Sequence, residues 1–288
     1  MDKPLLTINQ ALTWAREQLS EHSVSDDGIH DSSAIDSKVL LADCLQREVV
    51  YLYTWPEALL DKLQMVRFQE SIAQRSLGHP VAHIIGYRDF WSLRLKVSPA
   101  TLIPRPETEL LIEIALTLNL AKYSKMLDLG TGTGAIALAM ASEKPNWLIT
   151  ALDNSYQAVV LAKGNGIRHK LERVNFIQSD WFSAIEQQKF DIIVTNPPYI
   201  ENNNQYLQQG DVRFEPTSAL TSGLDGLDDI RLIVSQSKHY LADNGYLMIE
   251  HGYQQSDQVQ DIMLANGFNQ VRSELDLNGL LRVTLGCI

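Results

Sequence analysis

The chain has 288 residues, 45% hydrophobic and 20% charged, enough for one large domain plus a small one, and this composition excludes a disordered or fibrous protein. Its net charge is −11, with seven Lys/Arg against twelve Asp/Glu in residues 1–80 and 17 against 23 in the remainder, so no basic stripe for wrapping nucleic acid is evident. No stretch approaches the ~18 uncharged apolar residues of a membrane span, the N-terminus has no secretory pattern, and Cys44 and Cys287 lack metal or disulfide-framework spacing.

These features lead us to expect a cytoplasmic, monomeric protein with no metal, no membrane contact and no direct nucleic-acid contact. Residues 1–80 read as a small helical domain. Ile8, Ala11, Leu12, Ala15 and Leu19 recur at helical spacing behind Thr7, a suitable N-cap. Residues 35–46 and 57–76 continue in the same way, with Pro56 suited to the first turn of the latter. At 91–97 the period changes: Trp91, Leu93, Leu95 and Val97 alternate with polar residues, as in a half-buried strand. A stiff connector containing Pro99, Pro104 and Pro106 follows, so 81–105 reads as a hairpin and linker.

Beyond residue 105 the segments alternate between strand-like and helix-like. A helical run at 108–120 precedes KMLDL, a glycine-rich turn and the helix AIALAMASE. WLITALD precedes a helix from Ser155, VNFIQSD a short helical stretch, FDIIVT a Pro-Pro turn, and YLMIEHG a helix from Asp257. LNGLLRVTLG ends the chain as a strand. This order predicts an α/β doubly wound sheet, mainly parallel, over 106–288. Residues 200–229 break the rhythm with a long polar connection, and loops of that length often serve as lids or binding loops.

The first βα turn reads Gly130-Thr131-Gly132-Thr133-Gly134-Ala135. Its glycines let the backbone approach a ligand, and the following helix N-terminus favours an anionic group. The spacing also fits a dinucleotide fingerprint, so a nicotinamide cofactor stays open. Asp153 ends the next strand, where a carboxylate can accept from both ribose hydroxyls. Asp128, just before the loop, suits a ligand with an ammonium group better than a pyrophosphate, which favours S-adenosyl-L-methionine. Asp180 and Trp181 end the third strand and can offer a polar contact and an aromatic face for adenine.

FDIIVT stops at Asn196-Pro197-Pro198-Tyr199. Each proline forces the preceding residue into an extended conformation. The Asn196 side-chain oxygen and the Pro197 carbonyl can then accept both N–H bonds of a planar amino group, while Tyr199 offers a face to stack on. Such a clamp aims a weakly nucleophilic nitrogen at an electrophilic methyl. The acceptor is then either a nucleic-acid base amine or a protein amide.

The chain resembles the bacterial peptide chain release factor glutamine N5-methyltransferases over nearly its whole length. The segments that carry the resemblance are GHPVAHIIGYRDFWSLRLKVSPATLIPRPETELL, LDLGTGTGAIALA, SDWF, VTNPPYI, GDVRFEPTSAL and LMIEHG. LIPRPETE and VRFEP are the most particular to that family. The resemblance implies a seven-stranded class I methyltransferase sheet with a helical N-terminal domain. It implies S-adenosyl-L-methionine on Gly130–Gly134, Asp153, Asp180, Trp181 and Asn196. It implies that Asn196, Pro197, Pro198 and Tyr199 hold the glutamine of a release factor's Gly-Gly-Gln tip for methylation at N5, in support of translation termination, with Asn196 and Pro197 doing the catalytic work.

Overall fold

In a computed structural model, residues 5–22, 32–186 and 188–288 are described, and the chain divides into two compact units, 1–86 and 87–288. The first unit contains α1 (Ile8–His22), α2 (Ser33–Leu45), α3 (Val49–Thr54), α4 (Lys62–Ser76) and α5 (Val81–Ile85). Residues 1–4 and 23–31 of the predicted helical domain lie outside the described residues. Ile8, Ala11, Leu12, Ala15 and Leu19 form one core with Leu40, Leu41, Leu52, Phe68 and Ile72.

Thr7 caps α1 reciprocally with Gln10: Gln10 N donates to Thr7 Oγ1 at 3.2 Å and Thr7 N donates to Gln10 Oε1 at 3.0 Å. The helix expected from residue 57 starts five residues later, because Asp61 and Gln64 form a capping box at 2.8 and 2.9 Å. A cap is worth about 1 kcal/mol and decides where the helix begins. Burial of Phe68 and Ile72, roughly 2 kcal/mol each, decides that it forms. Residues 81–85, placed in the connector by composition, are helical and belong to the first unit.

The second unit opens with the hairpin β1 (Tyr87–Phe90) and β2 (Leu93–Lys96). Trp91 occupies its turn at φ +55°, so the strand expected over 91–97 loses Trp91 and Ser92 at its start, and it stops at Lys96, one residue short of Val97. A short 3₁₀ turn, Pro106–Thr108, leads into α6 (Glu109–Thr117). Then come β3 (Lys125–Leu129), α7 (Ala135–Glu143), β4 (Leu148–Asp153), α8 (Tyr156–Arg168), β5 (Asn175–Gln178) and β6 (Phe190–Thr195). The chain ends with α9 (Asp228–Ser237), β7 (Leu241–Glu250), α10 (Ser256–Ala265), β8 (Asn269–Leu275) and β9 (Leu281–Cys287).

The seven strands are ordered β5-β4-β3-β6-β7-β9-β8, parallel except for β9, which is antiparallel to both its neighbours. Successive strand residues face opposite layers. Met126, Ile192, Val194 and Met248 pack with α6, α7 and α8, whereas Leu127, Ile193, Leu247 and Ile249 pack with α9 and α10. The chain leaves β3 toward β4 on one side and returns to β6 on the other. The β3/β6 boundary is therefore the switch point, where the loops after the two strands separate and leave a crevice.

Two expectations change. Among the described residues no helix lies between β5 and β6; Ser179 Oγ donates to the Trp181 carbonyl at 2.7 Å and accepts from Ala184 N at 3.0 Å, which closes turns there instead. The connection after β6 is structured by three 3₁₀ turns, Gln205–Gln208, Gly210–Phe214 and Thr217–Ala219, and ends in α9. No helix among the described residues is long and apolar enough to cross a membrane.

Candidate active site

Leu129 and Thr195 are registered partners at the ends of β3 and β6, and Thr195 Oγ1 donates to the Leu129 carbonyl at 2.9 Å. The glycine turn and the Asn-Pro-Pro-Tyr turn thus leave the sheet side by side. A cavity of about 390 Å³ opens there, lined by Gly130, Thr131, Gly132, Thr133, Asp153, Asp180, Trp181, Asn196 and Pro198 among others. That volume lies in the usual range of small-molecule sites. Gly134, Pro197 and Tyr199, also singled out by the sequence, are not among its lining residues.

Gly130 is called for by its backbone, at φ +70°; a Cβ there would meet the Trp181 ring at 3.7 Å and the Asn196 carbonyl oxygen at 4.0 Å, both ordinary contacts. Gly134 has a different task. At φ +84° it caps α7, and a Cβ would lie 3.1 Å from Leu138 Cδ1 and 3.2 Å from Ala162 Cβ. It permits close packing of α7 and α8 rather than forming the cavity wall.

Asp153 holds the wall together. Its Oδ2 accepts from Gly132 N at 2.8 Å and its Oδ1 from Ser155 N at 2.9 Å, while burial raises its carboxyl above the ordinary range. A carboxylate has about four acceptor sites, so capacity remains for a ligand. Asp128 sits beneath the loop and accepts from Thr131 Oγ1 at 2.6 Å; burial pushes it up to about 7. Its other oxygen, Oδ1, is buried without a hydrogen-bond partner.

Trp181 lies on the opposite wall in the left-handed region, φ +44°, which is uncommon for a bulky residue. Its Nε1 donates to Asp229 Oδ1 at 3.2 Å, which anchors the indole from α9. Asp180 is exposed at the rim.

Asn196 Nδ2 donates to Thr108 Oγ1 at 3.2 Å. Among the described residues, no hydrogen bond ends on Asn196 Oδ1 or on the Pro197 carbonyl. Two neighbouring acceptors are therefore available at the turn. Tyr199 is pinned from its backbone, with N donating to the Leu220 carbonyl and O accepting from Gln255 Nε2 at 3.0 Å. Its hydroxyl makes a long contact, 3.5 Å, with Glu250 Oε1. Burial, then the neighbouring Glu250, pushes the phenol above its ordinary range, so it stays a donor.

Sequence reasoning missed several contributors. Thr101 from the proline-rich connector, Thr108 from the 3₁₀ turn after it, Pro216 and Ser218 from the polar connection and Asp229 from α9 also line the cavity. Arg105 and Glu215 join the connector to the polar connection. The signal was present in LIPRPETE and VRFEP, the segments most particular to the resemblance, although neither showed its partner.

Comparison with known proteins follows the same outline. The family described as Methyltransferase small domain matches residues 106–213, and the PrmC N-terminal domain matches residues 10–86. The release factor glutamine methyltransferase of Shewanella oneidensis is 48% identical over 279 residues, 97% of this chain and 95% of that protein. The enzyme of the same name from Pseudomonas aeruginosa is 50% identical over 88% of this chain and 92% of its own length. That from Escherichia coli is 43% identical over 95% and 97%. Among solved structures, the hMettl16 catalytic domain in complex with an RNA hairpin shares the fold, with a TM-score of 0.58 at 15% identity over 88% of this chain and 90% of that one. A methyltransferase from Pyrococcus furiosus has a TM-score of 0.52 at 16% identity, covering 76% of this chain and 96% of that one.

Proposed function

The chain belongs to the release factor glutamine methyltransferase family, and from that premise we propose that it methylates the side-chain amide nitrogen, N5, of the Gly-Gly-Gln glutamine in peptide chain release factors, in support of translation termination. It is a methyltransferase, and S-adenosyl-L-methionine is its methyl donor.

The cavity fits that donor. Thr101 Oγ1, at its wall, is a buried hydroxyl with no protein partner. Buried polar groups left unpaired ask for a ligand or water to satisfy them. Gly130, Thr131, Gly132, Thr133, Asp153, Asp180, Trp181 and Asn196 would hold the donor, with Gly134 shaping the turn from behind. When bound, the donor supplies an electrophilic methyl on a sulfonium sulfur.

The chain's own residues address the acceptor. An amide nitrogen has a delocalised lone pair and is a poor nucleophile. Asn196 Oδ1 and the Pro197 carbonyl would accept its two N–H bonds, fix its plane and favour pyramidalisation, while Pro198 and Tyr199 confine it. A strong base is unnecessary, because the N–H becomes acidic once nitrogen is alkylated. The observation that carries this reading is the pair of unengaged acceptors, Asn196 Oδ1 and Pro197 O, on the turn beside the glycine loop.

The first unit would serve acceptor recognition. It exposes Tyr53, Trp55, Leu59 and Leu63, large apolar groups suited to a protein surface. We expect the enzyme to act as a cytoplasmic monomer without binding nucleic acid, in keeping with its net charge of −11. The test is methyl transfer from labelled donor to purified release factor and, in parallel, to DNA. Label on the factor's glutamine supports the reading, and label on DNA alone overturns the acceptor. A chain beginning at residue 87 that methylates intact factor with an unchanged KM would remove the recognition role of the first unit.

A further inference from the structure

We propose that Gln255, the residue before α10, is a positioning residue for the Asn-Pro-Pro-Tyr turn: it holds the Tyr199 carbonyl and thereby fixes where the Pro197 carbonyl stands in the clamp. The inference deepens the amide-clamp reading and rests on it.

The Gln255 side chain joins three segments. Its Nε2 donates to the Tyr199 carbonyl at 3.0 Å and to the Asp225 carbonyl at 3.2 Å, while its Oε1 accepts from Gly252 N at 2.9 Å. Two carbonyls at one end and an N–H at the other leave the amide a single orientation, with both donor protons engaged. The turn before α9 presses on the same point. Gly226 lies there at φ +73°, and a Cβ on it would overlap the Tyr199 carbonyl oxygen and lie 2.9 Å from Gln255 Nε2.

The turn is stiff. Pro197 and Pro198 have a fixed φ, and Asn196 and Pro197, each followed by a proline, are held extended. Few torsions remain between Thr195 and Tyr199, so the place of the Pro197 carbonyl is set by the two ends of this short bridge. One end is β6, where Thr195 Oγ1 donates to the Leu129 carbonyl at 2.9 Å. The other is the Tyr199 residue, whose N donates to the Leu220 carbonyl at 3.2 Å and whose carbonyl Gln255 holds. Loss of the Gln255 donors frees this second end, and the Pro197 carbonyl loses its fixed aim at the acceptor amide. A displacement of about 1 Å at a reacting group can slow a reaction roughly 100-fold.

Gln255 also shapes the turn into α10, since its N donates to the Gly252 carbonyl at 2.8 Å while its Oε1 accepts from Gly252 N. Two full-length variants separate that task from positioning. Gln255→Glu keeps the length of the side chain and the acceptor for Gly252 N, but turns a carboxylate toward two carbonyls. Gln255→Leu removes donors and acceptor together. In ¹³C,¹⁵N-labelled protein the Tyr199 carbonyl signal, read through the Ile200 amide, is expected to move in both variants, while Met126 and Leu127 in β3 stay in place. An unmoved Tyr199 carbonyl in both variants overturns the proposal, whatever the substrate.

Turnover provides the second readout. Gln255 does not line the cavity. With release factor as acceptor, both variants are therefore expected to lower kcat at least ~10-fold, with the KM for the factor and the Kd for the donor within about twofold. A Gln255→Glu enzyme as fast as wild type would leave only the Gly252 contact and overturns the positioning role, as does a raised KM with unchanged kcat. A wild type inactive on release factor but with the predicted NMR response refutes the acceptor assignment and upholds the hold of Gln255 on the turn.

Discussion

Arg105 and Glu215 are 110 residues apart in the chain, yet Arg105 Nη2 lies 2.8 Å from both oxygens of the Glu215 carboxyl. The Glu215 side chain is fully buried and also accepts from Ile103 N at 3.3 Å. The pair fastens the proline-rich connector to the polar connection after β6, and both segments line the cavity. Burial raises the Glu215 carboxyl against the pull of Arg105, so removing the guanidinium leaves a group that is poorly served by its surroundings.

Arg105→Ala is therefore expected to destabilise this part of the molecule by roughly 3–5 kcal/mol, relieved in part by opening of the connection. The signs to measure are faster proteolysis between residues 200 and 227 and weaker donor binding by calorimetry. Glu215→Gln is expected to be milder, and the double variant less damaged than the sum of the singles by about 1–3 kcal/mol. Additive losses would mean that the two groups do not act as a pair.

The two glycines associated with α8 packing give opposite predictions. Gly134→Ala places a methyl about 3.1 Å from Leu138 at φ +84° and is expected to cost at least ~1–2 kcal/mol, read as a lower Tm. Gly164, inside α8, has nothing within 4 Å of an added Cβ, so Gly164→Ala is expected to stabilise by roughly 0.5–1 kcal/mol. Equal Tm shifts in the two variants would contradict the packing argument.

Much of this architecture was legible in the sequence, for identifiable reasons. Buried parallel strands are continuous apolar runs, so β3, β4, β6 and the end of β7 stood out, and the glycine and Pro-Pro turns marked where they stop. β8 did not stand out, because it is an edge strand with no fully buried residue and carries Arg272 and Glu274. α9 was hidden where a polar connection runs straight into it. The contacts of Thr108 with Asn196, and of Tyr199 with Glu250, span 88 and 51 residues. No local pattern reports such contacts. Glu250 and His251 were visible as polar residues ending a strand, but only the fold gives Glu250 its neighbours.

Stability should depend on pH through Glu250. Burial raises its carboxyl from 4.5 to about 7, opposed by Thr108, Arg282 and Tyr199 and reinforced by Glu107. The native state then holds a proton that the unfolded chain has already lost between these values. The resulting stabilisation is full below pH 4.5 and disappears as pH rises through about 7. Asp128, raised from 3.8 to about 7, acts in the same direction. Glu250→Gln removes the first contribution, so relative to wild type the variant should gain up to about 3 kcal/mol between pH 5 and pH 8. A difference in stability that stays constant across that range would contradict the assignment.

The most direct measurement is the location of the transferred methyl. Purified release factor, labelled S-adenosyl-L-methionine and either wild-type enzyme or Asn196→Ala would be combined, and the factor's peptides read by mass spectrometry. The account predicts one methyl on the amide nitrogen of the Gly-Gly-Gln glutamine, formed at least ~100-fold more slowly by the variant even when the variant is saturated with donor. A methyl on another residue, or an Asn196→Ala enzyme as fast as wild type, would contradict it.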